Sequence, residues 1–241
     1  MRRALLIGAC LLAGAVAAPA SAGAATVTTM VVGKERTLLE AEEVRTAKKR
    51  RVKVGRRRCT IAGATPLGVL ARLRLSLRVR DYGRCGRRPR NAGSLFVTRI
   101  GPDRNRGRDG WVYKLGRRSG SAGAADPSGA FGTGRRLRDG DRLLWFWCDM
   151  QASLGCQRTL EAAPDRDAVA PGELVRVTVR GFDDYGRGVP VAGATVRLGA
   201  AVAVTGPDGV ATVPVAGTGR LPLTATADGM VPSFPEEVRA G

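Results

Sequence analysis

Three sets of residues in this 241-residue chain could do chemistry: the cysteines, a dense run of arginine and lysine, and three tryptophans. Histidine is missing altogether, which removes the Ser-His-Asp and Cys-His relays and every zinc site that needs an imidazole. Ser121 and Ser128 lie in glycine-rich sequence, and no two carboxylates show the spacing of a general acid and base. No catalytic residue is assigned, and no enzyme is expected. Metals fare no better. The cysteine spacings lack the paired Cys-x-x-Cys of a zinc ribbon, and Asp183-Asp184 has no further oxygen ligands at calcium spacing, so it reads as a plain turn.

The densest charge lies at Lys48, Lys49, Arg50, Arg51, Lys53, Arg56, Arg57 and Arg58. Guanidinium forks hold phosphate, sulfate and carboxylate in bidentate fashion and stay charged at every relevant pH. The charge is unevenly spread. Gly23 to Ala163 holds 31 basic and 12 acidic residues, whereas Pro164 to Gly241 holds 7 and 9. That asymmetry divides the chain into a basic front domain and a near-neutral second one, with a linker expected at 162–167. Two readings of the run stand side by side: a polyanion-binding patch, or a solvated loop whose arginines reflect GC-rich coding.

Trp111, Trp145 and Trp147 are the third set. On a strand through Arg142–Cys148, Leu143, Trp145 and Trp147 share one face and Leu144, Phe146 and Cys148 the other. Both faces are apolar and both need cover, from the glycine-rich stretch, the second domain or a ligand. Packing in the core and display as a ligand platform are the alternatives.

Positioning these groups requires an oxidising compartment and a β framework. Residues 1–22 read as a signal peptide: Arg2 and Arg3, an apolar run from Ala4 to Ala18 that contains Cys10, then Ala20-Ser21-Ala22. With the signal removed no transmembrane segment is expected, and the location is extracellular, free or held at the wall by charge. Four cysteines then remain, allowing three pairings. Cys148 and Cys156 flank a short turn-like stretch after a strand, which favours Cys148–Cys156 and leaves Cys59–Cys85.

Strands are expected over 26–32 and 37–44, a brief helix after the Thr65-Pro66 cap signal, and a strand from Leu73 with one arginine-covered face. Two further strands follow at 95–101 and 110–115. The stretch 116–138, rich in glycine and alanine, predicts a mobile excursion. In the second domain, Val175, Val177 and Val179 point inward, as do Val196 with Leu198 and Val202 with Val204. Turns such as Gly206-Pro207-Asp208-Gly209 separate these runs, and short strands so spaced predict a small β-sandwich.

The run Gly110-Trp111-Val112-Tyr113-Lys114-Leu115-Gly116, a loop, and Leu137-Arg138-Asp139-Gly140-Asp141-Arg142-Leu143-Leu144-Trp145 resemble the transcobalamin C-terminal-like β domain of bacterial exported proteins. The resemblance spans about Thr26 to Leu160 and implies a β-grasp-like sheet with one short helix. In transcobalamins this domain covers cobalamin while a helical barrel completes the site. No such barrel is encoded here, and no cofactor is expected. Pro190-Val191-Ala192-Gly193-Ala194-Thr195-Val196 and Gly206-Pro207-Asp208-Gly209 are similar to carboxypeptidase-regulatory-like or immunoglobulin-like bacterial domains, which implies a spacer or adhesion role. The expected architecture is mainly β: signal peptide 1–22, an α+β basic domain over 26–162, and a β-sandwich over 169–241. The expected function is non-enzymatic binding of acidic envelope or extracellular polymers, with no nucleic-acid partner. The alternative is a glycan or cofactor module built on Trp111, Trp145 and Trp147.

Overall fold

The computed structural model describes residues 24–150 and 155–241. The expected signal peptide lies outside the described residues. Strand β1 (Thr26–Val32) and strand β2 (Thr37–Arg45) form the first hairpin around the expected turn at 33–36. A second hairpin, β3 (Lys49–Val54) and β4 (Arg57–Ala62), leads to helix α1 (Pro66–Leu70). Thr65 caps that helix. Its hydroxyl accepts from the Gly68 amide at 3.2 Å and donates to the Ala62 carbonyl at 2.7 Å, an arrangement worth about 1 kcal/mol. Gly68 is needed for close approach, since a Cβ there would lie 2.5 Å from the Ala62 carbonyl oxygen.

Strands β5 (Leu77–Asp81), β6 (Leu95–Ile100) and β7 (Asp103–Arg104) make a small antiparallel sheet. The strand expected from Leu73 starts later than its alternation suggests. Turn bonds from the Arg72 and Leu73 amides return to Val69 and Leu70, and beyond Leu77 opposite Ile100 one backbone bond follows, from the Gly101 amide to the Ser76 carbonyl at 2.8 Å, which leaves Leu73 to Leu75 no ladder partner among the described residues. The alternation still sorts the side chains: Leu73 and Leu75 pack against the core, while Arg72 and Arg74 are exposed.

Strands β8 (Gly110–Leu115), β9 (Arg118–Ser119) and β10 (Arg142–Cys148) then rejoin the first hairpin. The sheet order is β2-β1-β10-β8-β9, with β1 and β10 parallel at its centre. A hairpin, a short helix and a last strand lying parallel to the first give the β-grasp-like arrangement. The two faces of β10 part as its sequence predicts. Leu143, Trp145 and Trp147 join the core beneath α1, and Leu144, Phe146 and Cys148 meet Val231 and Phe234 of the second domain.

The glycine-rich stretch is no loose excursion but the lid of the first core. Ala124, Ala125, Ala130 and Leu137 are buried there, and the Leu67 amide donates to the Ala124 carbonyl at 2.7 Å. The buried Tyr113 hydroxyl lies 2.7 and 3.0 Å from the Ala122 and Ala130 carbonyls, so its one proton ties the loop to the sheet. Small side chains let backbone come close enough for these bonds.

The second domain comprises β11 (Thr159–Pro164), β12 (Ala168–Val169), β13 (Leu174–Phe182), β14 (Gly188–Pro190), β15 (Thr195–Leu198), β16 (Ala201–Val204), β17 (Val210–Pro214), β18 (Gly219–Thr226) and β19 (Glu236–Ala240). One sheet carries β13 between β11 and the pair β14 and β17; the other runs β12-β19-β18-β15-β16. Val175, Val177 and Val179 meet Val196, Leu198 and Leu223 between them. The expected linker at 162–167 is corrected in part. Leu160 and Ala162 bury themselves in this core, so β11 pairs with β13 and the sandwich begins at Thr159 rather than Val169. Val202 and Val204 are also corrected: on the edge strand β16 they face solvent, and Ala201 and Ala203 take the inward positions. Among the described residues no helix is long and apolar enough to cross a membrane.

Candidate functional site

The basic run folds as the β3–β4 hairpin, and all eight of its cations are exposed. Val52, Val54, Cys59 and Ile61 supply the buried side. Gly55 makes the turn with φ of +60°, a backbone conformation that disfavours side chains. The eight cations then separate into two roles. Arg50 and Arg57 reach inward, Arg50 Nε donating to the Ala71 carbonyl at 3.2 Å and Arg57 Nη2 to Asp81 at 2.6 Å. Lys48, Lys49, Arg51, Lys53, Arg56 and Arg58 form no ion pair among the described residues. Lys53 also lies directly across from Arg58. Like charges so placed destabilise a strand pair, and a bound anion would offset that cost.

Two fixtures hold this hairpin. Cys59 of β4 is bonded to Cys85 between β5 and β6, with Cα atoms 5.6 Å apart. Asp81 is the second: its side chain is 1% exposed and gathers the Arg57 guanidinium, the Gly83 and Cys85 amides at 2.9 and 3.0 Å, and the Ser94 hydroxyl at 3.0 Å. Burial pushes its carboxyl upward, but the two amides, Ser94 and the Arg57 charge outweigh that and leave it below the usual carboxylate range. The carboxylate therefore stays ionised, and the hairpin stays clamped, well into mild acid.

Beside the hairpin, β5 and β6 turn Arg78, Arg80, Phe96 and Thr98 outward. A cleft of about 490 Å³ runs between Lys53 and Gly55 at the hairpin turn and Arg78, Thr98 and Arg104. A second cleft, about 510 Å³, shares Thr98 and Arg104 and continues past Arg80, Tyr82, Phe96 and Arg108. Hairpin and sheet thus form one basic trough. Alternation from Leu73 predicts an arginine-covered strand face, but nothing in the sequence places it beside the run at 48–58; the Cys59–Cys85 bond and Asp81 create that proximity.

The tryptophans do not form an open platform. Trp111, Trp145 and Trp147 are 4%, 1% and 7% exposed. Trp111 meets Trp147 edge-on at 6.0 Å and Trp145 packs on Tyr113 at 5.3 Å, which corrects the display reading in favour of core packing. They are placed there because α1 and the glycine-rich lid cover their face of β10. The Trp111 indole donates to the Asp103 carbonyl at 2.9 Å, whereas the buried Trp145 indole N–H has no hydrogen-bond partner among the described residues. A cleft of about 360 Å³ reaches Trp145 between β6, β8 and the segment 119–124.

Asp183-Asp184 is a turn held by the protein itself. Asp183 accepts from the Tyr185 and Arg187 amides, and Asp184 from the Ser119 hydroxyl and the Cys156 amide. The Cys148–Cys156 bond has its Cα atoms 5.1 Å apart and lies at the junction of the two domains. Lys114 sits nearby, fully buried on β8, donating to Thr159 Oγ1 at 3.1 Å and to the Phe182 and Asp183 carbonyls at 2.9 Å each. Desolvation pushes its amine down to about 8, against the pull of Asp184 and Asp183. Ion pairs Arg142–Glu236 and Arg117–Glu161 flank the same junction. Sequence reasoning missed Lys114, for which a lone lysine within an apolar strand is the only signal.

No family model matches the chain, and no curated protein or solved structure matches it either.

Proposed function

We propose that the chain is an exported, non-enzymatic binding protein whose front domain holds acidic envelope or extracellular polymers, with the sandwich as a spacer. One observation carries this reading: six neighbouring cations on a rigidly clamped hairpin have no carboxylate partner among the described residues. The two disulfides agree with an oxidising destination, to which the signal-like residues 1–22 would direct the chain. The β-grasp-like sheet order, with Gly110–Leu115 beside Arg142–Cys148, supports kinship with the transcobalamin C-terminal-like domains. The two-sheet sandwich is compatible with an immunoglobulin-like or carboxypeptidase-regulatory-like spacer.

Binding by released counterions is steeply salt-dependent. Affinity for polyphosphate and polygalacturonate is expected to fall roughly 300-fold or more between 50 and 200 mM salt with six contacts engaged. Charge reversal at Lys49, Arg51, Lys53 and Arg58 should abolish retention with little change in unfolding temperature, since these side chains are exposed. Retention that survives high salt, or none at low salt, refutes the mechanism.

A second reading rests on the cleft of about 360 Å³ between β6, β8 and the segment 119–124, which Trp111 and Trp145 line. A small ligand seated in that cleft would lie against both indoles. Titration with a panel of cofactors and neutral glycans should then shift tryptophan emission in the wild type, and less so in Trp145→Phe, where Trp111 is the only indole left lining the cleft. Unchanged emission across the panel removes this reading.

A further inference from the structure

Tyr82 and Phe96 are large aromatic side chains left 65% and 45% exposed, and they are neighbours. Their ring centroids stand 6.1 Å apart at 63°. Both line the far half of the basic trough, beyond the part bounded by the β3–β4 hairpin. Phe96 lies directly across the ladder from Arg80, whose guanidinium sits 4.9 Å from the Tyr82 ring centre. Arg104 and Arg108 complete the wall, and no ion pair engages Arg78, Arg80, Arg104 or Arg108 among the described residues. Asp109, the carboxylate in this wall, accepts from the Met150 amide at 3.0 Å.

Charge alone does not account for two aromatic rings in water at this place. A polymer bound only through its anionic groups gains nothing from them, and exposed rings in contact with solvent forgo the burial that stabilises aromatic side chains elsewhere. A ligand that presents apolar C–H groups as well as anionic groups uses both parts of the trough. A pyranose ring does so: its C–H face lies against an aromatic ring by dispersion and apolar burial, while a carboxylate on the same residue reaches a guanidinium.

We infer that the trough takes an acidic polysaccharide, with Tyr82 and Phe96 receiving sugar rings and Arg78, Arg80, Arg104 and Arg108 the carboxylates, while the hairpin cations hold the continuing chain. This rests on the polyanion reading above and narrows it to carbohydrate. The rings select the polymer, and the hairpin supplies the salt-sensitive share of affinity.

The test compares polygalacturonate, which has rings and carboxylates, with polyphosphate, which has charge and no rings, on the full chain at one ionic strength. Tyr82→Ala/Phe96→Ala should weaken polygalacturonate binding by at least roughly tenfold and leave polyphosphate binding within about twofold of wild type. Tyr82→Phe/Phe96→Tyr should restore polygalacturonate binding, and retained polyphosphate binding shows that the variants are folded. Equal losses on both polymers, or no loss on either, overturns the assignment of the rings. Wild type that binds polyphosphate but not polygalacturonate overturns the carbohydrate inference and leaves the polyanion reading standing. Wild type that binds neither overturns both.

Discussion

Replacing Cys59 and Cys85 together by alanine is expected to lower the free energy of unfolding by about 3.5 kcal/mol. The bond closes a loop spanning 26 positions, and its removal returns that loop's entropy to the unfolded chain. A loss of that size is a large fraction of the 5 to 15 kcal/mol that holds an ordinary domain together. The variant should also bind acidic polymer more weakly, because the hairpin then depends on the Asp81–Arg57 clamp and its own apolar side for its position against β5. Urea unfolding of the double variant under oxidising conditions measures the first effect, and retention on polyphosphate the second. The shorter Cys148–Cys156 loop spans 8 positions and should cost about 2.6 kcal/mol. A loss below about 1 kcal/mol for Cys59–Cys85 would show that native packing, and not loop closure, sets the hairpin's place.

Lys114 has the second large effect, and its sign follows from proton linkage. Its amine is pushed down to about 8 by burial, from the 10.5 of a lysine in water. Between those values the unfolded chain carries more protons on this residue than the folded one, so its contribution makes stability rise with pH from about 8 to about 10.5. The rise is on the order of 2 to 3 kcal/mol. Tyr113 acts in the opposite direction from about pH 10 upward, because burial, then the Asp126 charge, raise its phenol above the ordinary value. The difference between wild type and Lys114→Met isolates the lysine. At neutral pH, Lys114→Met leaves the Phe182 and Asp183 carbonyls without their donor, a loss of about 2 kcal/mol or more offset in part by the charge no longer buried. Unfolding followed at pH 7, 8, 9 and 10 should show the two curves diverging upward only above pH 8. Parallel curves would show that the amine is not shifted, and that water reaches the junction.

Trp145 and Phe146 illustrate how far the sequence reaches. Strict alternation over Arg142–Cys148 is enough to assign each side chain to one of two faces, because a strand sends successive side chains to opposite sides. The Thr65-Pro66 signal was equally legible, since capping is a local bond between near neighbours. The pairing of Cys148 with Cys156 was foreseen for the same reason, and Cys59–Cys85 followed by elimination. Val202 and Val204 mark where local reading fails. Alternation shows that the two share a face, and only the place of β16 at a sheet edge decides that this face is wet. Leu73 to Leu75 fails in the same manner, for a strand needs a partner and β6 ends too soon.

What the amino-acid order determined by itself is the class and chemistry of the parts: a β-rich chain without imidazole, four cysteines beyond residues 1–22 available for bridging, and cations gathered in the front half. Which parts become a site was decided by tertiary structure. The hairpin cations, Arg78, Arg80 and the Tyr82–Phe96 pair are joined into one trough by a disulfide and by the buried Asp81. The tryptophans are withdrawn from solvent by a glycine-rich lid whose small side chains permit close approach. Both outcomes depend on contacts between residues far apart in the chain, whose formation is set by which apolar faces can be buried together and leaves no mark in any local pattern.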